Sequence, residues 1–250
     1  MTDPHRPSRQ PTGSLPTSRQ RLLALSGIAF AVLVCLAWFS NGAETPHYTA
    51  PDHDWTTWAN NTEMKGRFAA FFALLAGLVF LPFAATIRDT LAAAEQKGHG
   101  AVRVSQVAYA GGLIGVTSFV IATVTFSGAS AEGAEANPVV SRAIATGDVG
   151  PFLVAPMGFA AFLAAGGLVA LRSGVLPRWA AVVALIGAVS FTITFLTTLD
   201  GTADGSVFGY GFFPGVVALV TWSIATSIAR YRAVQPAADG STATETPAYR

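Results

Sequence analysis

The chain has 250 residues, of which 52% are hydrophobic and 12% are charged, and its formal net charge is +1. Soluble domains carry about 25% charged residues, so a chain with half that share lacks the polar groups to cover a soluble surface. Its basic residues form no stripe, which argues against nucleic acid as a partner, and the single cysteine, Cys35, excludes an intramolecular disulfide and a paired-cysteine metal site.

Two polar tails flank an apolar middle. Residues 1–20 and 233–250 are rich in Pro, Ser and Thr and have little to bury, which is typical of disordered tails. Residues 21–232 contain six apolar blocks, each long enough to cross a ~30 Å hydrocarbon core as a helix. The sequence therefore predicts an all-α polytopic membrane protein, a bundle of six transmembrane helices with short interfacial helices on the outer side. The predicted spans are 22–40, 68–87, 105–127, 151–171, 178–199 and 207–229.

The distribution of Lys and Arg predicts the orientation of the bundle, because these residues are retained on the cytoplasmic side of a membrane. With six spans, one side of the membrane holds both tails and the loops 88–104 and 172–177. That side carries twelve of the fifteen basic residues, and the other side carries Lys65, Arg67 and Arg142. Both termini are therefore predicted to be cytoplasmic. The twelve are Arg6, Arg9, Arg19, Arg21, Arg88, Lys97, Arg103, Arg172, Arg178, Arg230, Arg232 and Arg250.

Two outer segments are predicted to form short helices at the level of the lipid headgroups. In residues 54–66, Asp54 can cap the amino terminus, and Trp55 and Trp58 share one face at a spacing of three. Residues 138–147 begin with a proline, which suits the start of a helix.

Small residues indicate where the spans approach one another, since close packing drives much of helix association in lipid. The pairs Gly111/Gly115 and Gly211/Gly215 match the GxxxG pattern and are candidate helix–helix contacts. Kinks are expected in the second and sixth spans, at Pro82 and Pro214.

The interior of all six blocks contains no Asp, Glu, Lys, Arg or His. Proton-coupled transport, b-type haem binding and intramembrane serine proteolysis each need such a group at depth. The sequence therefore predicts neither catalytic residues nor a cofactor. Hydroxyls are present on the fifth span, where Thr194 and Thr198 either bond within the bundle or line a hydrated cavity.

The outer stretch 51–67 is the most polar passage outside the tails. Asp52, His53 and Asp54 have the ligand chemistry of a divalent metal site, but their spacing matches no ligand signature. The favoured interpretation is a solvated acidic loop that Trp55 and Trp58 anchor at the membrane interface.

Lys65 and Arg67 lie on the side where positive charge is disfavoured. Arg67 is at the outer mouth of the second span, at the level of Asp148 and Asp200. An ion pair of Arg67 with either carboxylate would join the ends of two spans, and the alternative is that Arg67 extends alone to the headgroups.

Two passages resemble a family of uncharacterised six-span bacterial membrane proteins, often actinobacterial, that share a domain of unknown function. They are NNTEMKGRFAAFFALLAGLVFLPFAATIRDTL at 60–91 and LRSGVLPRWAAVVALIGAVSF at 171–191. The resemblance covers about residues 22–232 and implies a compact inner-membrane bundle without known catalytic residues or ligand. In its second passage, Arg172 and Arg178 flank a tight turn, and Pro177 precedes the fifth span.

Three functions remain open at the level of sequence. The first is a non-enzymatic membrane module that binds a partner protein, a second copy of itself or an apolar ligand between its helices. The second is a permease or channel for a small neutral solute, and the third is an enzyme acting through the His53 cluster.

Overall fold

Seven helices make up the regular structure of the chain in a computed structural model that describes residues 17–41, 46, 49–97, 103–133, 138–147, 149–174, 176–199 and 205–233. The described residues contain no strand, so the predicted all-helical class is confirmed. The helices are α1 (Thr17–Asn41), α2 (Asp52–Lys97), α3 (Val104–Gly133), α4 (Pro138–Gly147), α5 (Val149–Ser173), α6 (Arg178–Leu199) and α7 (Gly205–Ala233).

Six of these helices, all except α4, are long and apolar enough to cross a membrane, which confirms the six predicted spans. The short α4 occupies the predicted segment 138–147. The separate interfacial helix predicted over 54–66 is wrong, because those residues form the first turns of α2. With 46 residues, α2 is about 69 Å long at 1.5 Å per residue, more than twice the thickness of a ~30 Å hydrocarbon core.

The spanning helices close into a ring in the order α1, α2, α3, α5, α6, α7 and back to α1. Helix α5 also touches α2 and α7 and is the most buried of the six. The Cα atoms of α2 and α7 come within 8 Å of each other nowhere in the described residues. The backbones of α2 and α7 are therefore separated, and side chains such as Phe83 and Trp222, whose ring centroids are 6.4 Å apart, lie between them.

Aromatic side chains fill the middle of the ring. Phe80 of α2, Phe162 of α5 and Trp222 of α7 are fully buried. Ring centroids are 5.5 Å apart for Phe80 and Phe162 and 5.0 Å for Phe162 and Trp222, in the edge-to-face arrangement that aromatic pairs prefer. Between α1, α3, α5, α6 and α7, the packing leaves an apolar cavity of about 20 Å³.

Both predicted glycine pairs lie at helix contacts. A Cβ at Gly158 of α5 would come within 2.6 Å of Gly115 Cα and 2.8 Å of the Gly111 carbonyl oxygen on α3. A Cβ at Gly211 of α7 would lie 3.0 Å from the carbonyl oxygen of Ser190 on α6. The backbones of these helix pairs therefore meet directly, as close packing through small residues requires.

The carboxyl-terminal part of α2 holds the first turn of α3 through Glu95. Its Oε1 accepts a 2.8 Å hydrogen bond from the Ser105 backbone N–H, and its Oε2 accepts a 2.7 Å bond from the Ser105 hydroxyl. The first N–H groups of a helix have no partner within the helix, so a carboxylate from the neighbouring helix acts here as a cap.

We expect Glu95→Ala to lower the free energy of unfolding by about 1 kcal/mol, the typical cost of a lost helix cap, and to speed amide exchange at Ser105. Hydrogen exchange with mass spectrometry and detergent unfolding measure the two effects. Gln96→Ala, on the exposed neighbouring position, is the control and should change neither. Equal exchange at Ser105 in both variants would show that Glu95 is not the cap.

Candidate functional site

A cavity of about 250 Å³ lies between α2, α5 and α7, towards their carboxyl-terminal ends. Along α7, it extends from Trp222 to Ala233, a rise of about 16 Å. A volume of this size is well above that of one water molecule, which needs roughly 10–15 Å³. Its lining is mainly apolar, with three polar side chains: Ile87, Leu91, Ala170, Leu176, Trp222, Ala229 and Ala233, with Thr90, Thr226 and Arg230.

Arg230 connects α7 to α2 across this cavity. Its Nη1 donates a 2.5 Å hydrogen bond to the Thr86 carbonyl oxygen and a second bond to the Thr90 hydroxyl. A guanidinium carries five N–H donors. Within the described part of the chain, the donors on Nε and Nη2 have no hydrogen-bond acceptor. The Arg230 side chain therefore lies on the cavity wall with donors to spare.

The two threonines of the wall already use their hydroxyl donors within their own helices. The Thr90 hydroxyl donates a 2.8 Å bond to the Thr86 carbonyl oxygen, and the Thr226 hydroxyl donates to the Trp222 carbonyl oxygen at 2.9 Å. The indole nitrogen of Trp222 is buried and has no hydrogen-bond partner among the described residues. Arg230 is the charged wall residue from which a bound molecule can accept hydrogen bonds.

The end of the bundle that contains the cavity carries more basic than acidic side chains among the described residues. We call the bundle end that holds the start of α1 and the ends of α2, α5 and α7 the basic end. Its described acidic side chains are Asp89 and Glu95, of which Glu95 caps α3. Asp89 is close enough to Arg230 for an electrostatic interaction, but it forms no ion pair with it within 4.0 Å. The described arginines there are Arg21, Arg88, Arg103, Arg172, Arg178, Arg230 and Arg232.

The outer stretch 51–67 does not form the solvated, membrane-anchored loop that the sequence predicted. Trp55 and Trp58 are 3% and 6% exposed and pack against Phe126 of α3 and Ile144 of α4. The prediction that they anchor at the headgroups is therefore wrong. The helix that carries them packs on α3 and α4, which remove both indoles from the surface.

Arg142 of α4 joins α4 to the start of α2. It donates 2.9 Å bonds to the Ala50 carbonyl oxygen and to Asp52 Oδ1, and its guanidinium lies 5.8 Å from the Trp55 ring centroid. Asp52 is thus a structural partner of α4. Both charges are visible in the sequence, but the sequence does not show that Asp52 and Arg142, 90 positions apart, lie next to each other.

His53 and Asp54 face outwards. His53 Nε2 lies 2.8 Å from Asp54 Oδ1, and the His53 side chain is 77% exposed. Asp54 is not the N-cap residue of α2, because it already lies within the first turn, where its N–H donates to the Pro51 carbonyl oxygen. Among the described residues, no group of three His, Cys, Asp or Glu side chains could hold a metal ion.

Asp148 and Asp200, the predicted partners of Arg67, lie outside the described residues. An ion pair of Arg67 with either carboxylate therefore stays a prediction. In the structure, Arg67 Nη2 lies 2.5 Å from Glu63 Oε1, one turn earlier on α2. Lys65 is exposed. None of these three charged groups reaches the cavity, which lies at the other end of the bundle.

Helix α5 ends at Ser173 and α6 begins at Arg178, and residue 175 of the connection between them lies outside the described residues. Gly174 has a φ of +66° and donates its N–H to the Ala170 carbonyl oxygen at 3.0 Å, in the left-handed conformation common at a helix end. The carbonyl of Pro177 accepts the first bonds of α6. Arg172 and Arg178 are exposed on either side of this turn.

Two hydroxyls of the fifth span, now α6, are used within the bundle. Thr192 donates to the Ala188 carbonyl oxygen at 2.8 Å, and Thr194 donates to that of Ser190 at 3.0 Å. Thr194 is fully buried where Gly211 of α7 packs on it. The side chain of Thr198 lies outside the described residues.

Sequence reasoning used Arg230 for orientation and missed its place in a cavity. A signal existed, because Trp222, Thr226 and Arg230 recur every four residues and therefore share one face of α7. Thr86 and Thr90 have the same spacing on α2. The sequence did not show that these two faces oppose each other.

Comparison of the chain with protein-family models, with curated protein sequences and with solved structures finds no match in any of the three. The resemblance of residues 60–91 and 171–191 to six-span bacterial proteins therefore stays a prediction.

Proposed function

We propose that this chain is a multi-pass protein of the bacterial cytoplasmic membrane that binds an apolar ligand between its helices and catalyses no reaction. The observation that carries the proposal is the cavity of about 250 Å³ between α2, α5 and α7. Apolar walls with a few polar groups are typical of small-molecule sites. Each methylene group that leaves water for such a cavity contributes about 0.8 kcal/mol to binding.

The orientation of the bundle supports a ligand that reaches this cavity from the cytoplasmic side. The basic end carries seven described arginines, whereas the described basic side chains of the other end are Lys65, Arg67 and Arg142. Positive charge is retained in the cytoplasm, so we assign the cavity and both termini to that side. A reporter fused to the carboxyl terminus should be active in the cytoplasm.

We expect the methyl ester of 9,10-dibromostearic acid, a neutral apolar probe, to quench tryptophan fluorescence of the purified protein saturably. Bromine quenches on contact, and the Trp222 ring forms part of the cavity wall. The measurement is a titration in lipid nanodiscs. Ala229→Phe fills the cavity and leaves all five tryptophans of the chain in place, so the difference between the two titrations reports the cavity alone.

Ala229→Leu fills less of the same space and should weaken saturable quenching to an intermediate degree. Its unfolding curve shows whether the bundle remains folded. Equal, non-saturating quenching in wild type and in both variants would contradict binding in the cavity, because it would report probe dissolved in the lipid.

The alternative function, a permease or channel for a small neutral solute, stays a hypothesis. A solute that crossed the bundle would have to displace the packed rings of Phe80, Phe162 and Trp222, which are fully buried. A partner protein or a second copy of the chain would bind on the apolar outer faces, which lipid also covers in any spanning helix. Neither possibility accounts for the cavity.

A further inference from the structure

We propose that the cavity binds a long-chain carboxylate, with the acyl chain between α2, α5 and α7 and the carboxylate on Arg230. This proposal rests on the proposed function and names the chemistry of its ligand. Three features of the structure carry it: the unused donors of Arg230, the size of the cavity and the charge of the basic end.

The first feature is the set of unused N–H donors on Arg230. Arg230 keeps Nε–H and the Nη2 hydrogens without an acceptor in the described part of the chain, while Nη1 is held by Thr86 and Thr90. Adjacent guanidinium donors present a planar pair that matches the two oxygens of a carboxylate. The hydrogen bonds of Nη1 fix the plane, so little side-chain freedom remains to be lost when a ligand binds.

An arginine near a helix end usually extends to the headgroups and leaves the protein. Arg230 instead turns towards α2, a helix whose backbone never approaches that of α7 in the described residues. The side chain thus spans the gap that forms the cavity. A charged group held on an apolar wall in this way indicates a ligand of opposite charge.

The size of the cavity favours one acyl chain. Its volume of about 250 Å³ is below the ~300–1,000 Å³ of pockets that enclose drug-sized ligands. A bilayer phospholipid carries two chains, and the second would have no place here. A fatty acid brings one chain and one carboxylate, which matches one cavity and one guanidinium.

The charge of the basic end also favours an anion. The carboxyl ends of α2, α5 and α7 contribute partial negative charge, and Asp89 adds to it. The seven described arginines of the basic end outweigh this negative charge. Basic pockets between spanning helices on the cytoplasmic side commonly bind anionic lipid groups.

The test compares 9,10-dibromostearate with its methyl ester, which has the same chain and no charge. In nanodiscs of zwitterionic lipid, we expect the acid to half-saturate tryptophan quenching at a concentration about tenfold lower than the ester, the scale of a charge-assisted hydrogen bond. Arg230→Gln should remove this preference and leave ester binding. Arg232→Gln, an exposed arginine two residues along, is the matched control and should keep it.

A second measurement needs no variant, in case Arg230→Gln does not fold. Lowering the pH through the pKa of the bound acid neutralises the ligand, so the preference of wild type for the acid should disappear. Equal affinity for acid and ester at neutral pH, with saturable quenching that Ala229→Phe abolishes, would contradict recognition of a carboxylate. The same result would still support binding of an apolar ligand in the cavity. Quenching that never saturates would overturn both proposals. Displacement of the acid by a bilayer phospholipid with an anionic headgroup, added at equal mole fraction, would assign the site to phospholipid instead.

Discussion

Replacing Gly158 with alanine is expected to destabilise the bundle by about 1–3 kcal/mol, the usual cost of overpacking a close contact. The new methyl group would lie 2.6 Å from Gly115 Cα and 2.8 Å from the Gly111 carbonyl oxygen. Both are backbone atoms, which cannot rotate away as a side chain can, so α3 and α5 must separate. Unfolding of the purified protein by titration with sodium dodecyl sulfate measures the loss.

Gly128→Ala is the matched control. Gly128 lies on α3, and a Cβ there meets no atom within 4 Å. Alanine has a better helix propensity than glycine by about 1 kcal/mol, so this variant should be neutral or slightly more stable. A loss of stability at Gly128 as large as the loss at Gly158 would contradict a contact specific to the α3–α5 crossing.

Phe162→Ala is expected to destabilise the bundle more than Gly158→Ala does, by about 3–5 kcal/mol. Phe162 is fully buried on α5 and contacts the rings of Phe80, Phe83 and Trp222. Its removal leaves a void at the point where α2, α5 and α7 meet, and the packing energy that holds helices together in lipid is lost there. The same unfolding titration measures it.

Phe213→Ala removes the same side chain from a position that is 57% exposed on α7. Lipid or detergent replaces the ring there, so we expect a change below about 0.5 kcal/mol. Equal losses at Phe162 and Phe213 would show that the aromatic core does not determine the stability of the bundle.

The sequence predicted the spanning helices well because their signal is the length of an apolar run. It failed at the ends of α2, where the helix continues into polar sequence. Helix formation needs backbone hydrogen bonds and not an apolar environment, so hydropathy shows where a span leaves the membrane and not where its helix ends.

The interpretation of Trp55 and Trp58 failed for a related reason. A spacing of three puts both rings on one face, and that pattern is the same whether the face meets lipid or another helix. Arg67 shows the opposite case, since its observed partner Glu63 is four residues away on the same helix and could have been inferred from spacing alone. Contacts such as Arg230 with Thr86 join positions 144 apart, and no local pattern contains that distance.

The length of α2 has a mechanical consequence. One uninterrupted helix runs from Asp52, which binds α4, to Thr90, which binds Arg230, a distance of about 57 Å. A single helix therefore joins the contact with α4 to the contact with Arg230. Bending of α2 between these two contacts costs least at Pro82, which lacks the N–H that would bond to the preceding turn.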